Sequence, residues 1–497
     1  MQLNRLTHRN GAVTRRVGVR AVLVAAAAIL VVPVALFAHA HLARSEPSAK
    51  ERLTSPPKAI RLWFSERPEL AFTRIRLRAA DSTEIALGAV TRIADDPLGM
   101  SATIPAALAA GTYTVIWRTA AADGHATTGS FAFDVVAGEN TIAAAIDTAG
   151  RSPVPHALVR ADSTAESPKL NVTAATRWLE FVAMLAVVGA VVFRVVVLRL
   201  AERAMAGTLT AETRIEIADS ARRLAQSALV LLLIAGLSRL YEEASAILGP
   251  NRAIDRSALR SIVFGSSWGA GWLVGIAGIV LAACGFAIAR RARGGTGWAI
   301  AALGALAIVV APALTGHARA TNPVGLAVAT DVLHVGAVCA WVGSLMALLF
   351  TALPFVRGQR TMSAIGSGPL VAGLVRAFHP VALTCAATVI ATGVVASWLR
   401  LPTVASLWES TYGRVLLLKL AFVGIVVVLG AVNWRRMLPA LGDDRAAQRI
   451  TRTAGAELTV AALVLAVTAV LVSTSPPERA KREAWRATPA TVPSPSP

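Results

Sequence analysis

Cysteine, charge and histidine are all scarce in this chain. Three cysteines in 497 residues exclude a disulfide scaffold and a zinc ribbon. Charged residues make up 16% of the chain, against about 25% in an average soluble domain, which argues against a purely soluble enzyme. There is no G-x-x-x-x-G-K-[ST] loop, so nothing points to ATP as a driving force. Histidine occurs only eight times, so each one can be weighed. What is abundant is apolar: 55% of residues are hydrophobic, which excludes intrinsic disorder. The formal net charge of +20 raises nucleic acid as a partner. The placement of the arginines gives a membrane explanation instead, and no nucleic-acid partner is expected.

Residues 1–38 read as a secretory signal peptide. Arg5, Arg9, Arg15, Arg16 and Arg20 form a basic leader, followed by the apolar run Ala21 to Ala38. Cleavage after Ala38 or Ala40 exposes His39 or His41. The alternative is an uncleaved anchor, because the run is near spanning length. Either way the following segment is exported. Residues 39–137 carry short stretches separated by Pro, Gly, Asp and Ser: Ile60–Phe64, which alternates poorly but is β-rich, Thr73–Arg78 and Tyr113–Trp117, which alternate cleanly, and Phe131–Val135. This predicts an all-β sandwich. Residues 138–172, with Pro153, Pro155 and Pro168, read as a linker.

Residues 173–476 predict an α-helical polytopic membrane domain of about eight transmembrane helices, near 174–199, 222–248, 267–289, 296–315, 326–352, 370–398, 413–434 and 453–474. With residue 173 outside, the loops holding Arg203, Arg214, Arg222, Arg223, Arg290, Arg291, Arg293, Arg357, Arg360, Arg435 and Arg436 are cytoplasmic. The opposite loops hold fewer arginines. The expectation is a multi-pass inner-membrane protein with its N-terminal domain on the periplasmic or extracellular side. Residues 477–497, rich in Pro and Ser, read as a disordered tail.

Two fragments of the exported domain carry metal chemistry. In His39-Ala40-His41, an N-terminal His39 offers its α-amine and imidazole as one chelate. Such nitrogen-rich sites suit Cu(II). In Asp123-Gly124-His125 the alternating residues face one way when extended, so Asp123 and His125 can complete a mixed N and O site. Only Met100 lies in this domain, which speaks against a thioether Cu(I) site there.

Ionisable groups inside spans are functional candidates by default. His317 ends the fourth helix and His334 lies in the fifth, both toward the outer side. Asp331, at i−3, shares the face of His334 and can orient its imidazole. Trp341, at i+7, continues that face. Cu(I) is a candidate cargo within the membrane, and a bis-imidazole haem site is the alternative chemistry. His379, before Pro380, reads as associated with a kink. Snorkelling accounts for Lys419.

The stretches His39-Ala40-His41-Leu42, Ser45-Glu46-Pro47, Phe64-Ser65-Glu66, Gly111-Thr112-Tyr113 and Ala122-Asp123-Gly124-His125 resemble the periplasmic copper-binding family CopC over residues 39–137. The resemblance implies Cu(II) ligation by the mature N-terminal histidine, Asp123 and His125. Alignment on Leu42 favours His39 over His41 as the first ligand. Glu66 is implied as a supporting neighbour of the amino terminus, and the family's methionine-rich segment is missing. Leu314-Thr315-Gly316-His317-Ala318, His334 with Trp341-Val342-Gly343, Thr411-Tyr412-Gly413-Arg414 with Leu418-Lys419-Leu420, and Asn433 resemble CopD over about 173–476. His379 departs from that pattern and stands, with His41, as a further candidate ligand.

A CopC–CopD fusion of this kind resembles proteins of copper uptake. The expected partners are copper, the lipid bilayer and a periplasmic copper donor. No enzymatic activity is expected. Copper tolerance by sequestration, delivery to an oxidase and haem-dependent copper reduction are the rival readings.

Overall fold

The computed structural model describes residues 42–64, 67–94, 96–120, 126–136, 167–205, 209–248, 254–291, 295–316, 318, 321, 323–356, 367–437 and 444–474. The first part is a two-sheet β-sandwich. One sheet has the order β1-β3-β7-β6, from β1 (Leu42–Glu46), β3 (Ala59–Phe64), β7 (Asp96–Thr103) and β6 (Thr91–Ile93). The other runs β2-β9-β8-β4-β5, from β2 (Arg52–Leu53), β9 (Ala126–Val135), β8 (Gly111–Ala120), β4 (Arg74–Ala79) and β5 (Glu84–Ile85). The alternation of β3, β4 and β8 puts Ile60, Leu62, Phe64, Leu77, Val115 and Trp117 between the sheets. Met100 is fully buried among them, so its thioether is packing and has no access to a metal.

Three features organise one end of this sandwich. Phe64 and Trp117 meet edge to face across the two sheets, with centroids 5.2 Å apart. Gly129, opposite Trp117 in the β8–β9 register, leaves the space that the indole fills. Leu42, the first residue of β1, pairs with Phe64, the last of β3. Leu42, Phe64, Ala120 and Ala126 therefore all lie at this end.

The second part is helical. The element α1 (Ser167–Val192) continues through a π-helical turn, Phe193–Val197, into Leu198–Ala204. It is followed by α2 (Ala211–Leu248), α3 (Arg256–Gly265), α4 (Ser267–Arg291) and α5 (Thr296–Thr315). Next comes α6 (Val324–Val338), extended by the π-helical Cys339–Gly343 and by Ser344–Val356, and then α7 (Ser367–Arg400). The short α8 (Ser406–Glu409), α9 (Thr411–Val432, with π-helical Asn433–Met437) and α10 (Asp444–Leu471) complete it. Among the described residues, eight helices are long and apolar enough to cross a membrane, as the apolar runs predict.

The centre of the bundle is α1, whose run from Ala183 to Val191 is almost wholly buried. Small residues let its neighbours approach, as expected where lipid removes the hydrophobic drive between helices. Gly189 of α1 sits directly on the backbone of Gly343, and a Cβ there would overlap it. Gly285 and Gly304 do the same for the α4–α5 pair.

Candidate metal-handling site in the membrane domain

His334, on the third turn of α6, packs across Gly393 of α7, and its Nδ1 lies 2.9 Å from Thr392 Oγ1. The same hydroxyl is 2.6 Å from the Thr388 carbonyl, one turn back on α7. A hydroxyl has one proton. With that proton given to Thr388, the Thr392 oxygen can only accept, so His334 Nδ1–H donates to it. In that tautomer the lone pair is on Nε2, the nitrogen that a metal ion would take.

The carboxylate that the i−3 spacing aims at His334 goes elsewhere. Asp331 accepts two hydrogen bonds from Arg400 Nη2, at 2.8 and 2.9 Å. Arg400, the last residue of α7, also hydrogen-bonds the Tyr412 hydroxyl. A full guanidinium charge is a stronger draw than a neutral imidazole on the carboxylate's own helix. Thr392 therefore orients His334, and Asp331 anchors Arg400. Lys419, two turns into α9, lies within electrostatic reach of His334, Arg400 and Asp331. Tyr412, from the Tyr-Gly-Arg stretch, thus meets α7 through Arg400. Thr392 and Arg400 are the residues sequence reasoning missed. A threonine in a span carries no distinguishing signal, and Arg400 reads as a loop cation.

Asp331 and Arg400 line a small cleft together with Thr321 and Thr330. His317 lies outside the described residues. Ala318, the residue after it, is fully buried against Ala327 of α6 and Leu399 of α7. Ala318 therefore meets the same two helices that carry Asp331 and Arg400.

His379 is not brought to His334. The two are separated by 13 residues of α7 between His379 and Thr392, about 20 Å at 1.5 Å per residue. Its ring stacks on Trp434, with centroids 5.3 Å apart and planes at 22°. Nearby, Asn433 donates to Glu457. Helix α7 runs through Pro380 without interruption. The π-helical turn at Cys339–Gly343 removes the α-helical i+7 relation between His334 and Trp341. Cys339 is fully buried, Cys385 half-buried and Cys284 exposed. Among the described residues no three His, Cys, Asp or Glu side chains group as a metal site.

On the sandwich, His39, His41, Glu66, Asp123 and His125 also lie outside the described residues. The described residues flanking these segments, Leu42, Phe64, Ala120 and Ala126, sit together at the Phe64–Trp117 end.

Comparison with known proteins decides the family. The CopC domain matches residues 42–136, the Copper resistance protein D-like N-terminal domain matches 167–328, and Copper resistance protein D matches 372–471. Protein YobA of Escherichia coli (strain K12) is 35% identical over 106 residues, covering 21% of this chain and 85% of YobA. The chain is a CopC–CopD fusion. Along most of its length the fusion is similar to Copper transport protein CutJ of Bacillus subtilis (strain 168). The two are 25% identical over 457 residues, covering 91% of this chain and 77% of CutJ. Copper resistance protein D of Pseudomonas syringae pv. tomato is 29% identical over 219 residues, or 42% of this chain and 68% of that protein. Among solved structures, CopC from Methylosinus trichosporium OB3b is 30% identical, with a TM-score of 0.20, covering 20% of this chain and 98% of its own. The CopC–CopD fusion is thus a multi-pass membrane protein of a copper transport and resistance family.

Proposed function

We propose that this CopC–CopD fusion takes up copper across the inner membrane. Copper is the cargo. The exported sandwich captures Cu(II) through His39, Asp123 and His125, with Glu66 beside the amino terminus. Copper then passes to a site in the membrane domain that includes His317 and His334, where Cu(I) is a candidate form. A periplasmic copper donor supplies the sandwich. The protein acts as a transporter and not as an enzyme.

The observation that carries the intramembrane part is the Thr392 hydroxyl. It lies 2.9 Å from His334 Nδ1, which supports a tautomer with Nε2 free for a metal ion, inside a chain similar over most of its length to a copper transport protein. A metal-binding imidazole needs this arrangement, with its other nitrogen donating to a fixed acceptor. The outer site rests on the resemblance to CopC and on the gathering of its flanking residues at one end of the sandwich.

Total copper in cells with and without the protein tests the direction of flux. Less copper in cells lacking it supports uptake. More copper in those cells supports tolerance by export and overturns the reading.

A further inference from the structure

The Phe64–Trp117 end of the sandwich sits against the membrane domain, and the contact is chemically matched. Arg118, near the end of β8, donates to the last carbonyls of α2: Nη2 to Ala246 at 2.6 Å and Nη1 to Leu248 at 3.2 Å. Those carbonyls are the negative pole of the helix. Glu69 accepts a hydrogen bond from Ser267, the first residue of α4, which is the positive pole of that helix. A cation thus meets a helix C-terminus while a carboxylate meets the adjacent N-terminus. Between them Phe72 packs into an apolar cluster of Ala244, Ile262 and Trp268.

The loop that supplies Glu69 and Phe72 is tied to β8. Glu69 N–H donates to the Ala120 carbonyl at 2.8 Å, and the buried Thr73 and Thr119 hydroxyls are 2.7 Å apart. Arg118, Glu69 and Phe72 are therefore presented as one rigid surface. Burial in this contact lowers the basicity of the Arg118 guanidinium. The partner helix α4 packs along α5, with Gly271 directly against Leu314 and Thr315 at the end of α5.

We propose that Arg118, Glu69 and Phe72 form a built-in seat that holds the sandwich on the outer ends of α2, α3 and α4. The seat keeps the Leu42, Ala120 and Ala126 end over the helix pair that ends at Thr315, so cargo is handed over within one chain. Transfer then depends on the effective concentration set by the seat and not on encounters in solution. The seat stands on the contacts alone; the hand-over rests on the proposed function.

The test uses full-length protein in native membranes, with Cys284, Cys339 and Cys385 replaced by alanine and a protease site placed between residues 138 and 166. Glu69→Cys with Ser267→Cys is treated with a short bis-maleimide, cleaved, and examined on a denaturing gel. Glu84→Cys with Ser267→Cys is the control, since Glu84 pairs with Arg78 at the far end of β4 from Arg74 and Arg118. The seat predicts that the first pair stays joined after cleavage and the control pair separates. Equal yields, or separation of the first pair although both thiols react with a single-headed maleimide, overturn it. Arg118→Glu should cut the cross-link yield several-fold, and Arg118→Lys should restore part of it. Copper uptake by Arg118→Glu should fall in parallel. Loss of the cross-link with unchanged uptake overturns the hand-over role while leaving the family's copper transport intact.

Discussion

His334 Nδ1 and Thr392 Oγ1 lie 2.9 Å apart, joining α6 to α7 in the interior of the membrane domain. With the Thr392 proton on the Thr388 carbonyl, His334 Nδ1–H donates to Thr392 and Nε2 is the free imidazole nitrogen. Thr392→Val keeps the shape and removes the acceptor. Copper uptake should fall roughly tenfold to a hundredfold, the usual effect of losing such a supporting partner. Thr392→Ser should stay close to the wild type. An uptake rate for Thr392→Val equal to that of the wild type would show that the hydroxyl does not set the tautomer.

Asp331 and Arg400 are the strongest pair near this site, and both side chains are largely shielded, at 26% and 18% accessible. Asp331→Asn leaves the Arg400 charge without its carboxylate. The cost should be about 3 kcal/mol, the low end for a broken buried pair, because some access to water remains. Thermal unfolding in detergent reads it. The double variant Asp331→Asn with Arg400→Met should recover most of the loss. No recovery would mean that Asp331 acts through some other partner.

Much of this arrangement was legible in the sequence, and the reasons for the rest are physical. The spans stand out because each is long and apolar enough to cross a bilayer and carries few charges. Strands β4 and β8 show clean alternation, and β3 is legible from its β-rich composition although it alternates poorly. Strand β7 did not, because Asp-Pro-Leu-Gly breaks the pattern, with Pro97 near its start and Gly99 making room for Ile93. Strand β1, Leu-Ala-Arg-Ser-Glu, is too polar to announce itself. His334 and Asp331 were found from their rarity inside a span. Asp331 accepts its hydrogen bonds from Arg400 and not from His334, because spacing on one helix says nothing of what the next helix presents. Arg400 and Thr392 come from more than fifty residues away and win by geometry. The π-helical turn after Val338 defeats any spacing argument that crosses it.

The outer site makes a separate prediction. If His39 is the mature amino terminus, its amine and imidazole bind Cu(II) together. Extending the mature chain by one residue should sharply weaken Cu(II) binding by the exported domain, and His125→Ala should weaken it while leaving membrane insertion intact. Competition with a copper chelator measures both. An extended variant with wild-type affinity removes His39 from the ligand set.

Packing at the centre of the bundle is equally exposed to test. A side chain at Gly189 meets the backbone of Gly343. Gly189→Leu must push α1 away from the turn that follows His334, and overpacking of this kind costs about 1–3 kcal/mol. Lower thermal stability with reduced uptake is expected. Unchanged stability would mean that the helices part without cost.

The most direct measurement is the initial rate of radioactive copper uptake at limiting external copper, comparing wild-type cells with cells producing His334→Ala or His125→Ala at equal membrane abundance. The account predicts rapid uptake by the wild type, a loss of nearly all protein-dependent uptake in His334→Ala, and a clear reduction in His125→Ala that added copper partly overcomes. Uptake in His334→Ala equal to that of the wild type would contradict it.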